Sequence, residues 1–238
     1  MKENQLKGEI KLKKLRKGMS LLLSIMLVLT LIPSVGVGTA FAAEGTPEGP
    51  TYATQVDIRD TDGIGFVKTL SGSDLTWSES GKGSATFNPE KGELKLEGYK
   101  YNPVTAMGGD ITVVLSGENT ITGAQKMPAE GYSNSYSITG LTAYQEGTLT
   151  IKGDDAEGKD SLTIDLTGNE KSSGSVSGII GKKIVIDGAD VTVTINNPKY
   201  DRYAVYALEG IEIKNNGKLT VNLNGGKSGF DGRAIYND

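Results

Sequence analysis

The chain has 238 residues, 33 of them glycine, and contains neither Cys nor His. That excludes disulfides, the thiolate and imidazole ligands of zinc, and a histidine general base. Residues 1–42 hold 7 of the 25 basic and 2 of the 29 acidic residues, leaving 18 against 27 beyond them, a net charge of −9. Such a surface argues against nucleic acid as a partner, because phosphate binding needs Lys/Arg patches.

The N-terminus reads as an export signal. Five basic residues lie between Lys11 and Lys17, an apolar run follows from Ser20 to Ile32, and Pro33 breaks it. Small residues then lead to Ala40-Phe41-Ala42, the pattern of a cleavage site. The apolar helix is shorter than the ~20 residues that span a bilayer. Residues 1–42 are therefore expected to be a cleaved, helical signal peptide that meets the membrane only in transit. An uncleaved anchor is the alternative. The long basic region suits a Gram-positive secretory route.

Residues 43–54 lack apolar periodicity and read as a linker. Residues 55–108 form an N-terminal β segment, with strands expected at Gln55–Arg59, Gly65–Leu70, Ser84–Phe87 and Glu93–Leu96. From residue 109 to 238 a short alternating strand and a Gly/Asn turn recur: ITVVLSGEN, LTIKGDD, LTIDLTGNE, IVIDGAD, VTVTINN, IEIKNNG, LTVNLNGG. Alternation buries one face and wets the other. The expected inward set runs from Ile111, Val113 and Leu115 through Leu149, Ile164 and Ile186 to Ile213, Leu219, Val221 and Leu223.

The strands come in pairs at 149/162, 184/191 and 211/219. A small apolar element precedes each pair: Ile138–Leu141, Val176–Ile180, Ala204–Ala207. A coil of ~25–35 residues that buries its apolar face only by stacking is the repeat of a parallel β-helix. An antiparallel sandwich is the competing all-β fold. Stacking predicts outward ladders Thr163–Thr192–Thr220, Asp165–Thr194–Asn222 and Lys152–Asp187–Lys214. Gly117, Gly168 and Gly225, with Asn119, Asn169 and Asn197 nearby, are expected at corners, where glycine and asparagine tolerate positive φ. Ala234-Ile-Tyr236 resembles the start of a coil, so the sequence reads as a piece of a longer repeat.

The stretch 77–123, with Trp77, ELKLEGY ending at Tyr99 and ITVVLSGENTITG from Ile111 to Gly123, resembles secreted, mostly clostridial-type proteins described as carbohydrate-binding-domain proteins. The resemblance implies a right-handed parallel β-helix that binds carbohydrate, with calcium in some members.

Three chemistries are open. Asp154, Asp155, Glu157 and Asp160 lie in one loop and are either calcium ligands or a solvated hairpin tip. Asp57, Asp60 and Asp62 form a second acidic loop that departs from the EF-hand pattern. Trp77 is either a sugar platform or a cap on the core. Tyr132, Tyr136 and Tyr144 cluster in an insert, and Tyr200, Tyr203 and Tyr206 between coils, either as a glycan face or as half-buried packing. Of arginines beyond residue 42 there are only Arg59, Arg202 and Arg233, too few for the basic centre of a polysaccharide lyase. The expectation is a secreted or cell-surface, non-catalytic protein that binds polysaccharide or cell-wall glycan or mediates adhesion. A structural repeat without a ligand and a pectate-lyase-type enzyme are the alternatives.

Overall fold

The computed structural model describes residues 51–126, 136–144, 147–154, 160–169, 172, 174–197 and 202–225, and the backbone of 232–237. Every regular element among them is a strand, so the protein is all-β. The expected signal peptide, residues 1–42, lies outside the described residues.

The N-terminal strands pair antiparallel. β1 (Gln55–Arg59) lies between β2 (Phe66–Leu70) and the distant β7 (Val104–Met107). β3 (Thr76–Glu79), β4 (Gly83–Asn88) and β5 (Glu93–Glu97) form an antiparallel meander. Within the expected linker, Ala53 is buried and its N–H donates to Asp110 O at 2.8 Å, so the body begins before residue 55.

Beyond this segment, pairing is parallel and each strand pairs with its counterpart in the next sequence repeat. One column runs β5, β8 (Ile111–Ser116), β11 (Thr148–Gly153) and the second half of β13 (Val176–Asp187) and of β15 (Arg202–Lys214). A second runs β7, β10 (Ile138–Tyr144), the first halves of β13 and β15, and β17 (Gly232–Asn237). The third forms a separate sheet of β6 (Lys100–Tyr101), β9 (Glu118–Ala124), β12 (Ser161–Thr167), β14 (Asp190–Asn196) and β16 (Lys218–Asn224). β13 and β15 belong to two columns because each bends without ending, with a register shift between Gly181 and Lys183. The larger sheet is thus mixed, whereas the sequence repeat alone pointed to an all-parallel stack. The antiparallel part lies where the repeat had not yet begun.

The ladders take the predicted register. Thr163 pairs Thr192, which pairs Thr220, and Asp165, Thr194 and Asn222 form the next rung. Lys152, Asp187 and Lys214 are aligned, and Lys214 Nζ lies 3.7 Å from Asp187 Oδ2. Inward residues from Ile111 to Ile195 form one buried cluster. The last coil departs from the expectation: Leu219, Val221 and Leu223 are only partly buried and Ile213 is 49% exposed. β16 and the second half of β15 have a partner on one side only among the described residues, so nothing described there completes the burial.

Gly117 (φ +72°), Gly225 (φ +77°) and Asn197 (φ +48°) turn the corners as expected, whereas Gly168 and Asn169 are not among the residues with positive φ. Asn119 turns no corner either. It occupies the register position of Leu162, Val191 and Leu219 and is 1% exposed. Its Oδ1 accepts from Tyr99 N at 2.9 Å, and its Nδ2 donates to Gly117 O at 3.1 Å and to Ser116 O and Ser161 O at 3.4 Å.

Candidate functional site

Period-two alternation carries a row of side chains to the outside of the β1–β7–β10–β13–β15 face. Val56 and Ile58 are buried inward, so Gln55, Asp57 and Arg59 take the opposite side. By the same alternation Thr105, Thr142, Ile180 and Tyr206 oppose the buried Val104, Leu141, Ile179 and Val205. Strand register then aligns Thr69, Asp57, Thr105, Thr142, Ile180 and Tyr206 in one row across six strands. Thr139, Ser177 and Tyr203 form a second row beside it.

A groove of about 240 Å³ opens on this face, lined by Arg59, Gly63, Thr105, Ser137, Thr139, Thr142, Tyr144 and Ile180. It is smaller than the ~300–1,000 Å³ clefts that swallow a drug-sized ligand. It suits one ring of a larger molecule whose remainder lies on the open face. Through Ile180 the floor continues to Tyr206, whose ring lies 5.5 Å from that of Tyr203 at 68°.

Among the described residues, the groove lining contains no carboxylate. The Arg59 guanidinium lies 4.4 Å from the centroid of Phe66, a ring 61% exposed. No carboxylate among the described residues forms an ion pair with Arg59. Lys68, Lys82, Lys95, Lys126, Lys182, Lys183 and Lys214, by contrast, each face a carboxylate. Asp57, two residues from Arg59 on the same face, is 0% exposed. Its Oδ1 accepts from Gln55 Nε2 at 2.9 Å and Thr69 Oγ1 at 2.8 Å, while Oδ2 has no partner.

Of the sugar-platform candidates, Tyr203 lies on this face, and Tyr136 precedes the groove residue Ser137. Tyr136 is fixed at its backbone: its carbonyl accepts from Gln125 Nε2 and from Ser172 Oγ. Tyr132 and Tyr200 lie outside the described residues. Trp77 does not join the groove. Its strand, β3, ends the path of strands that β2 and β1 begin. There Trp77 stacks on Tyr101 at 4.8 Å and 23° and meets Tyr99 at 5.4 Å.

Of the calcium candidates, Asp155 and Glu157 lie outside the described residues. Asp154 pairs with Lys95 at 3.1 Å, and the buried Asp160 accepts from Gly117 N at 2.6 Å through Oδ1. Both carboxylates thus already have protein partners, and the described residues contain no group of three or more His, Cys, Asp or Glu placed to hold a metal. In the second acidic loop, Asp60 accepts from Ile64 N and Gly65 N, and Asp62 pairs with Lys126 at 3.4 Å. Burial, and then the neighbouring Asp62, push the Asp60 carboxyl up, while its hydrogen bond from Asp60 holds Asp62 down.

Tyr99, under Trp77, carries the one large perturbation. Its hydroxyl donates to Asn102 O at 2.9 Å, and burial, then Tyr101, push the phenol far above its ordinary value. Ionising it requires opening the fold. The stabilisation is fully present below the unfolded phenol's pKa of ~10 and is lost as pH rises beyond it. In an alkaline titration followed by phenolate absorbance, the difference between the parent and Tyr99→Phe should stay flat until the β circular dichroism collapses. A Tyr99 phenolate signal while the β circular dichroism persists would contradict this.

The chain matches no family model, no curated protein and no solved structure.

Proposed function

We propose that this is an exported, cell-surface protein that binds polysaccharide without turning it over, built as a right-handed parallel β-helix behind an antiparallel N-terminal segment. The parallel registers shared by successive coils support the β-helix reading. Binding rests on one observation above all: the groove joins an aromatic ring, a guanidinium and four hydroxyl-bearing side chains on one outer face, and that face runs on to Tyr203 and Tyr206. Sugars are held by this combination of ring faces and planar or hydroxyl donors. The absence of His and Cys from the whole sequence removes the commonest bases and nucleophiles, which favours binding over turnover. Calcium held by the 154–160 loop would be an accessory to this role.

Retention of the full chain on insoluble polysaccharides, with and without calcium, tests the reading. Retention is expected, and Tyr144→Ala combined with Tyr206→Ala should weaken it at least about tenfold, the scale of lost aromatic contacts. If no glycan retains the protein in either condition, the reading fails in favour of a structural repeat without a ligand.

A further inference from the structure

The binding face differs in charge from the rest of the chain. Beyond residue 42 acidic residues outnumber basic ones 27 to 18, yet among the described residues no acidic one lines the groove. The one charge among the described lining residues is Arg59, half-exposed and without a carboxylate partner among the described residues. The nearby Asp57 is sealed from solvent, so a ligand meets the guanidinium rather than that carboxylate. Of the three arginines beyond residue 42, Arg59 lies on β1 and Arg233 on β17 of this same sheet, while Arg202 on β15 takes the register position of the buried Val176 and donates to Gly225 O at 2.7 Å. Arg233 takes the register position next to Tyr203. Arginine's planar fork matches a carboxylate bidentately, which the point charge of lysine does not.

The direction of the face is also defined. The row from β1 to Tyr206 crosses four strand spacings, about 19 Å at ~4.8 Å each. It runs perpendicular to the strands, from the Arg59 groove past hydroxyls to the Tyr203–Tyr206 pair.

We propose that this face binds a linear oligosaccharide bearing uronate carboxylates, laid across the strands with one carboxylate on Arg59 and a later ring against Tyr206. The proposal rests on the polysaccharide-binding reading above and specifies the ligand. A neutral chain would leave the guanidinium without an acceptor, and a single acidic sugar would leave the Tyr pair uncovered.

Calorimetric titration of the full chain with galacturonate oligomers is the test, using a disaccharide, a pentasaccharide and the methyl-esterified pentasaccharide. The pentasaccharide should bind at least about tenfold more tightly than its methyl ester, the size of one charge-assisted contact. Arg59→Gln should abolish that preference, and Arg59→Lys should restore only part of it. Tyr206→Ala should remove the advantage of pentasaccharide over disaccharide and leave disaccharide binding unchanged. Equal affinity for acid and ester in the unaltered protein overturns the uronate assignment. Equal affinity for the two chain lengths overturns the direction. Binding of neutral glycans alone overturns this proposal and keeps the broader reading, whereas failure of every glycan removes both.

Discussion

Asn119→Ala is expected to lower the stability of the fold by about 2–3 kcal/mol, since a buried N–H stripped of its acceptor costs ~1–3 kcal/mol. The side chain is enclosed and satisfies the Tyr99 N–H and three carbonyls, all at the step from the N-terminal segment to the first full coil. Water cannot reach the Tyr99 amide to replace it, because Tyr99 is itself buried. The informative variant is Asn119→Leu. Register places leucine at this position in β12 and β16, so a reading from the repeat alone would rank it as neutral or stabilising. The hydrogen bonds say otherwise: leucine fills the space but leaves the Tyr99 N–H without its acceptor, while Gly117 O keeps Ser161 N and Ser116 O keeps Gly98 N, and it should cost about 1–3 kcal/mol. Urea unfolding should show a lower midpoint at unchanged slope for both variants. An Asn119→Leu protein as stable as the parent would show that packing at this step outweighs the polar contacts.

Asn119 also marks where sequence reasoning reaches its limit. Alternation is local, so strands such as Glu93–Glu97 and Ser161–Thr167 are legible directly. Register followed as well, because a slip by one residue would expose every inward side chain. That is why Lys152, Asp187 and Lys214 align although their spacings in sequence differ. An asparagine at the end of an alternating run looks like a corner, and only the partner strand shows that it lies inside. Pairing of β1 with β7 was equally invisible, since neither strand belongs to the repeat. The groove suffers most from this. Arg59, Thr105, Thr142 and Ile180 come from four strands and share no motif, so nothing in the linear order unites them. Phe66 could have been suspected as an apolar residue flanked by a glycine-rich turn, but its role beside Arg59 depends on the antiparallel register of β1 and β2. Tyr203 and Tyr206 were legible only as part of a cluster with Tyr200, because the three recur every third residue ahead of the 211/219 strand pair. Trp77, the more obvious sugar platform, has its ring against Tyr101.

Gly178→Ala is expected to cost about 2–4 kcal/mol and to weaken glycan retention at the same time. Gly178 lies on the inner side of β13 between Ser177 and Ile179, one turn of the pleat from Ile180 in the groove. A Cβ there would come 2.2 Å from Val193 Cγ1 and 2.5 Å from the Ala204 carbonyl oxygen. Overpacking a close-packed core costs typically ~1–3 kcal/mol, and more where backbone must move. β13 would have to shift outward, and β10 and β15 are hydrogen-bonded to it on either side. Those three strands carry Thr142, Ile180 and Tyr206, so strain inside the coil becomes misalignment of the row outside it. Val193→Ala separates the two contributions. It removes the Val193 contact but not the carbonyl contact, so the double variant should be less destabilised than the sum of the singles by about 1 kcal/mol, and not fully restored. Thermal melts and polysaccharide retention measured on the four proteins form the complete cycle. If Gly178→Ala melts with the parent, the coil has slack at this corner and the inner wall does not set the outer row. If it is destabilised but retains glycan normally, the face tolerates strand displacement, and its recognition resides in side chains of single strands rather than in their alignment.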